Sequence, residues 1–325
     1  MSRTIQDAIG INKIRYPKIL QDRIPIMTHN SPLVSIITPS FNKGPYIEET
    51  ILSIRNQTYK NIEHIVIDAK STDDTISILE RYTGILKWIS EPDRGQSDAI
   101  NKGWRMAKGD IIAYLNADDT YLPDAVEAAV AFFERNPDIH MVYGDGIITD
   151  ELGHFPQTIQ SGEFSLKKLV FCQNTIFQPS VFFRKDVFEN IGEVDMNLHL
   201  AMDLDYWLRI ALVYRIGYLP KPLSVAKIYR DAKSTAFMFR YVIEYEHILE
   251  KVFASASDSH EIQQYRKDVY TFIFTKGGLD YLHAMMVTDG IRYLWKAFRI
   301  NPALCIHYTV ALLVRYARKT TDPVF

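Results

Sequence analysis

From Val34 onward, short apolar runs alternate with stretches in which apolar residues recur at every third or fourth position. Val34-Ser35-Ile36-Ile37-Thr38 has the near-continuous apolarity of a strand buried on both faces, and Pro39 is expected to stop it. Ile47, Ile51, Leu52 and Ile54 then fall at helical spacing across Tyr46 to Arg55. His64 to Asp68 and Leu86 to Ser90 predict the second and third strands. A helix over Asp73 to Tyr82, capped by Ser71 or Thr72, lies between them. Gln96 to Ala107 puts Ala99, Ile100, Gly103, Trp104 and Ala107 on one helical face, with Gly109 closing it. Ile111 to Leu115 is the fourth strand, and Pro123 opens a helix from Asp124 to Arg135. This alternation with short connections predicts an α/β fold, a mostly parallel sheet flanked by helices. Sites in such sheets gather at the carboxyl ends of the strands.

Past about residue 145 the pattern turns irregular. A strand-like Ser180 to Phe183, a helix near Asp203 to Val213 and an extended piece from Ile216 to Tyr229 are expected there. Beyond Asp231 every segment reads as helix. The chain therefore divides into a polar lead (1–32), an α/β domain (33–230, in halves 33–145 and 146–230) and a C-terminal helical region (231–325). Composition changes this picture little: 47% hydrophobic and 23% charged residues suit a well-cored globular protein. A net charge of −2 offers nothing to steer nucleic acid, so no nucleic-acid partner is expected. Cys172 and Cys305 stand far apart, with no disulfide framework or zinc spacing. The start lacks a signal-peptide pattern and no apolar run of about 20 residues occurs, so cytoplasmic residence is the expectation.

Acidic residues stand where the sheet should open. Asp68 ends the second strand, Asp93 and Asp98 flank the loop after the third, and Asp118 and Asp119 follow the fourth. A lone carboxylate at such a place is more often a turn former or cap. Several on one sheet edge repel one another unless a cation or hydrogen-bond donors offset the charge. Adjacent aspartates after a buried strand suit Mg²⁺ or Mn²⁺, which take one or two carboxylates plus phosphate oxygens and water. Successive side chains in an extended segment point opposite ways, so one of the pair is expected on the metal.

Five segments in order carry a resemblance. They are Val34 to Asn42; Ser53 to Tyr59; Val66-Ile67-Asp68 with Ser71 to Thr75; Ser90 to Gly103; and Leu115-Asn116-Ala117-Asp118-Asp119. Together they resemble the family 2 glycosyltransferases of the GT-A fold, over most of residues 34–230. The resemblance implies an inverting transfer from a nucleoside-diphosphate sugar, with uridine as the likeliest base by family habit, to an acceptor hydroxyl. It implies that Thr38, Pro39 and Phe41 line the nucleobase pocket, that Asp68 accepts from the base and that Asp98 sits by the nucleotide. Asp118 would lie beside the ribose or donor sugar and Asp119 would hold the metal. Asn116 departs from the first aspartate of a DxD motif, and Ala69-Lys70 replaces small residues; a solvated Lys70 is favoured over a phosphate contact.

Ala201 to Arg209 resembles the family's acidic acceptor-side region, with Met202 at its first acidic position. On a helix, Leu204, Trp207, Leu208 and Ala211 form the buried face, and Asp203 and Asp205 lie about 200° apart. Asp205 precedes Arg209 by four residues, the spacing of a surface ion pair, which leaves Asp203 as the catalytic base; its rival role is a helix N-cap. Gln173-Asn174 and Gln178-Pro179-Ser180 resemble acceptor-side residues, with ordinary loop hydrogen bonding equally open. Tyr229-Arg230 resembles a closing loop, with Arg230 on the diphosphate. Residues 290–320 hold six basic residues and no acidic one, around an apolar Ala303 to Val314. Either an anionic membrane surface or a packed core helix fits that pattern. The first would suit a lipid-linked saccharide acceptor, in envelope polysaccharide or glycoprotein assembly, at the inner face of the membrane. Two rivals remain at this point: a sugar nucleotidyltransferase, whose glycine-rich basic loop is poorly matched by Pro39 to Gly44, and a binding relative without turnover.

Overall fold

The computed structural model describes residues 31–229 and 238–319. Most of the N-terminal lead, and Arg230, Ser234 and Thr235, lie outside the described residues. The α/β part runs β1 (Val34–Ser40), α1 (Gly44–Arg55), β2 (Ile62–Asp68), α2 (Thr75–Arg81), β3 (Lys87–Ser90), α3 (Gln96–Met106), β4 (Ile111–Tyr114), β5 (Thr120–Tyr121) and α4 (Ala125–Arg135). It continues with β6 (Ile139–Asp150), β7 (Gln157–Ile159), α5 (Leu166–Val170), β8 (Phe182–Arg184), α6 (Lys185–Ile191), α7 (Met202–Ala211) and β9 (Arg215–Ile228). Helices α8 (Tyr241–Ser255), α9 (His260–Gln263), α10 (Arg266–His283), α11 (Val287–Ile300) and α12 (Pro302–Lys319) follow.

The strands form one sheet in the order β3-β2-β1-β4-β8-β6-β9-β5, with β7 paired to β6. The pairs β1–β2, β2–β3, β1–β4 and β6–β9 are parallel, and β8 is antiparallel to both its neighbours. Gly103 lets α3 lie directly on β1, since a Cβ there would meet Ile37 Cγ2 at 2.4 Å. Trp104, from the next position, is fully buried against Tyr206, Phe183 and Phe188 at ring distances of 5.0, 5.2 and 5.7 Å. That contact joins the first half of the sheet to α7.

Three expectations need correction. Pro39 does not end β1; it lies inside the strand, opposite Ile67 of β2. The N–H that proline lacks would face β4, and β4 pairs with β1 only as far as Ile37, so no ladder bond is lost. The helix over 75–81 is capped by neither Ser71 nor Thr72. Ser71 is bound to Asp68, and the N-cap position falls to Asp74, which makes no side-chain cap bond; Asp73 accepts from Thr75 N at 3.0 Å and from Gly44 N at 2.9 Å, which ties the starts of α1 and α2 together. Finally, β6 runs to Asp150, through what reads as irregular chain. Gly144 and Gly146 interrupt its apolar pattern because there is no room for side chains: a Cβ on Gly146 would sit 2.0 Å from the Phe177 ring.

The C-terminal helices share the main core. One hydrophobic cluster runs from Ile37 through Trp104 and Trp207 to Ile248, Phe274 and Tyr293. Each of α11 and α12 still keeps an outward apolar stripe: Val287, Ile291, Trp295 and Phe298 on one, Ile306, Val310 and Leu313 on the other. Among the described residues, no helix is long and apolar enough to cross a membrane.

Candidate active site

The register of β1, β2 and β3 aligns Ser40, Asp68 and Ser90 in one row at the carboxyl edge of the sheet. Asp68 is fully buried there, and its oxygens accept from Ser71 N at 2.9 Å, Ser71 Oγ at 2.5 Å and Ser90 Oγ at 2.7 Å. A carboxylate has about four acceptor positions, so these three donors leave room for one more. Thr38 is also fully buried, and its hydroxyl shares a 2.9 Å hydrogen bond with His64 Nε2. Burial drives the His64 imidazole down to about 3, which keeps the ring neutral beside the sheet. Pro39 is buried, whereas Phe41 stands 58% exposed at the mouth of the edge. Lys70 is exposed, as expected, and its φ of +57° explains why a small residue suits that position.

Asp98 sits in the first turn of α3 and reaches back to Arg94 N at 3.1 Å. Burial alone would raise its carboxyl, but the Arg94 N–H and the charges of Lys102 and Arg94 outweigh that and hold it below the ordinary value. It therefore has a capping role that needs no ligand. The Asn116–Asp119 run turns tightly, with Asp119 N donating to Asn116 O at 3.0 Å and Thr50 Oγ1 donating to Asp119 O at 2.8 Å. The neighbouring aspartates have different partners, although the segment is a turn and not the extended chain expected. Asp118 meets Lys43 Nζ at 2.5 Å, and buried Asp119 accepts from Asn116 Nδ2 at 3.0 Å. Burial, then the charge of Asp118, pushes the Asp119 carboxyl well above the ordinary range.

Asp203 is the second residue of α7, whose N-cap position is Ala201, so the N-cap role does not fall to it. It is half-buried, accepts from Leu204 N at 2.8 Å and lies 3.3 Å from Asn174 Nδ2. Loss of solvent raises its carboxyl to about 6, with the Glu244 charge adding to the rise. Asp205 corrects the surface-pair expectation. It is 1% exposed and bound by both Arg209 Nε at 2.8 Å and Lys251 Nζ of α8 at 2.7 Å. The helix that makes this ion pair therefore also faces a second one.

Two links join the two sides of the cleft. Tyr114, at the end of β4, lies within electrostatic reach of both Asp119 and Asp203. Gln178 accepts from Asn116 Nδ2 at 3.2 Å and donates to Tyr114 O at 3.1 Å. Of the two segments that resemble acceptor-side residues, Asn174 thus touches Asp203, whereas Gln178 touches Asn116 and the Tyr114 main chain. Lys43 and Tyr46 stand in no motif of the sequence, whereas Tyr229 belongs to the segment that resembles a closing loop. Lys43 Nζ lies 5.8 Å and 5.2 Å from the two tyrosine ring centres, beside Asp118. Only the basic side chain in the loop after β1 signalled this, since its partner is 75 residues away.

Among the described residues, no cluster of three or more His, Cys, Asp or Glu side chains is placed to hold a metal by itself. Asp118 and Asp119 nevertheless suit a hard divalent ion that draws its other ligands from phosphate and water. Burial and the neighbouring Asp118 charge raise the Asp119 carboxyl, and a bound cation there would offset both.

The mostly parallel sheet flanked by helices, with Ser40, Asp68 and Ser90 in a row at its carboxyl edge, has the GT-A fold. The chain belongs to glycosyltransferase family 2, whose description, Glycosyl transferase family 2, matches residues 35–192. It is 35% identical to the glycosyltransferase Rv1514c of Mycobacterium tuberculosis, over 57% of this chain and 71% of that protein. It is 30% identical to TuaG of Bacillus subtilis, named for teichuronic acid biosynthesis, over 57% of this chain and 74% of that one. Two solved structures share the fold. The mannosyltransferase PcManGT of Pyrobaculum calidifontis, in complex with GDP-Man and Mn²⁺, has a TM-score of 0.56 at 20% identity, covering 94% of this chain and 85% of that one. S. aureus TarS 1–349 with UDP-GlcNAc gives 0.56 at 17% identity, covering 79% and 89%. The chain is an enzyme of the glycosyltransferase class, which sets the nucleotidyltransferase reading aside.

Proposed function

We propose that the enzyme transfers a sugar, with inversion, from a uridine-diphosphate sugar to a hydroxyl of a saccharide or lipid-linked saccharide in envelope polysaccharide or glycoprotein assembly. The observation that carries this reading is what gathers at the end of β4: Asn116 donates to Asp119 and to Gln178, Gln178 donates to Tyr114 O, and the Tyr114 side chain feels the charges of both Asp119 and Asp203. The catalytic domain is assigned to 33–230, with the nucleotide in 33–145, the acceptor in 146–230, and 231–325 as the helical region. Pro39 and Phe41, with the main chain of Thr38, border the base; Asp68 accepts from it through its remaining lone pair. Asp98 positions the loop beside the nucleotide, Asp118 reaches the ribose, and Arg230 takes the diphosphate.

Asp119 would hold Mg²⁺ or Mn²⁺, which supplies charge neutralisation for the departing diphosphate. Asp203 removes the proton of the acceptor hydroxyl at the carboxylate that Asn174 steadies. The hydroxyl oxygen bonds to the anomeric carbon as the carbon–oxygen bond to the diphosphate breaks on the opposite face. The nucleoside diphosphate leaves with the bonding pair, and the proton stays on Asp203 until solvent takes it. A carboxyl raised to about 6 is near the pH at which a base is both ionised and strong enough to act. The complexes named for TarS and PcManGT, and the pathway named for TuaG, support the donor and acceptor classes. Incubation with a panel of sugar nucleotides, Mn²⁺ and oligosaccharide acceptors should release nucleoside diphosphate with one donor. Binding of a donor without release would leave a non-catalytic protein instead.

The stripes on α11 and α12, with Arg292 and Arg299 beside them and an acid-free 290–320, support docking on an anionic membrane surface. Trp295→Glu should release the protein from vesicles of phosphatidylglycerol. Equal sedimentation of parent and variant counts against this placement.

A further inference from the structure

We infer that Glu244, in the C-terminal helical region, is a positioning residue for transfer: its carboxylate clamps the chain that presents Asp203. The inference rests on the reading of Asp203 as the base. Helix α7 lacks a side-chain cap of its own. The donors at its entrance are instead collected by one carboxylate 43 to 45 positions downstream. Glu244 accepts from His199 N at 3.0 Å, from Leu200 N at 2.9 Å and from Ala201 N at 2.8 Å. Three consecutive N–H groups turned onto one anion form a nest, and charge-assisted bonds of this kind are stronger than neutral ones. Asp203 follows Ala201 by two residues, so the clamp fixes the backbone from which the base projects.

A second anchor on the same face of α8 supports the first. Lys251 is seven residues on, two turns or about 10 Å along the helix, and binds Asp195 at 2.9 Å and Asp205 at 2.7 Å. Chain 195–205 is therefore gripped at both ends and at its middle by one helix. Among the described residues, the ionisable groups that act on Asp203 or feel its charge are Glu244, Tyr241 and Tyr245 of α8 and Tyr114 of β4. Of these, Glu244 is the one whose charge raises the Asp203 carboxyl, so it both holds the base and makes it more basic. No signal in the sequence marks this role, because the contacts of Glu244 span 43 to 45 positions and follow no local periodicity.

The test compares Glu244→Gln, Glu244→Ala and Asp203→Asn in the full chain, reading kcat, donor KM and the acid limb of kcat/KM. In the parent enzyme the base works ionised, so kcat/KM should fall as pH drops through about 6. Glu244→Gln keeps the shape and removes the charge. It should move that limb down by at least about 0.5 unit, since a neighbouring negative charge is lost. Glu244→Ala should lower kcat roughly tenfold or more, as misplacement of a catalytic group does, with donor KM within about threefold because the nucleotide contacts lie elsewhere. If Glu244→Ala does not fold, the limb in Glu244→Gln decides. Unchanged kcat and limb in both variants, with Asp203→Asn inactive, overturn the positioning role and leave the base intact. An equal loss of kcat and donor affinity means general damage and also overturns it. Full activity in Asp203→Asn removes the base, and this inference with it.

Discussion

Asp68 and Asp203 are both proposed for the site, and their supports differ in reach. Asp68 is held by Ser71, three residues on, and by Ser90 in the adjacent strand, so its setting is made by local turns and strand register. Asp203 receives only Leu204 N locally; its loop is fixed by Glu244 and Lys251 from a helix that closes the core much later in the chain. A parallel sheet delivers its residues to one edge by construction. The chain around Asp203 has no such frame and borrows rigidity from α8.

The comparison can be broken first at the hinge between the two regions. Trp104 sits between β4, β8 and α7, so Trp104→Ala should destabilise by about 3–5 kcal/mol and lower a single urea transition. Two separate transitions would mean that the regions fold independently. Next, Asp119→Asn should cut transfer roughly 10²–10³-fold, the scale of losing one electrostatic contact to the transition state. Because Asp119 is buried beside a like charge, the same change should leave the melting temperature equal or higher; a marked fall would make Asp119 a structural residue. The smallest effect is expected for Lys251→Met. Asp205 keeps Arg209, and Lys251 is about one-third exposed, so a loss of about 1–2 kcal/mol is anticipated in equilibrium unfolding. A neutral result would remove the second anchor and leave the clamp at Glu244 to act alone.

What was legible follows the same division. The first four strands and the helices between them announce themselves in Val34 to Arg135, because apolar periodicity is a local signal. The carboxylates at strand ends follow from that frame, and the structure gathers Asp68, Asp118 and Asp119 at one edge. The long β6 was hidden because the space beside it forces glycine at 144 and 146, which breaks the alternation that marks a strand. Asp205 was misread for a related reason. Its spacing to Arg209 is real, but burial comes from Lys251 and α8, which no pattern around residue 205 can show. Lys43 went unnoticed because an ion pair across 75 residues has no periodicity at all.

Pro39 carries a consequence for substitution at that position. The last part of β1 runs on after β4 has stopped, and its flank there is buried, so a residue with an N–H would bring a buried donor with no strand partner. A proline at that point removes the donor while leaving the bonds to β2 in place.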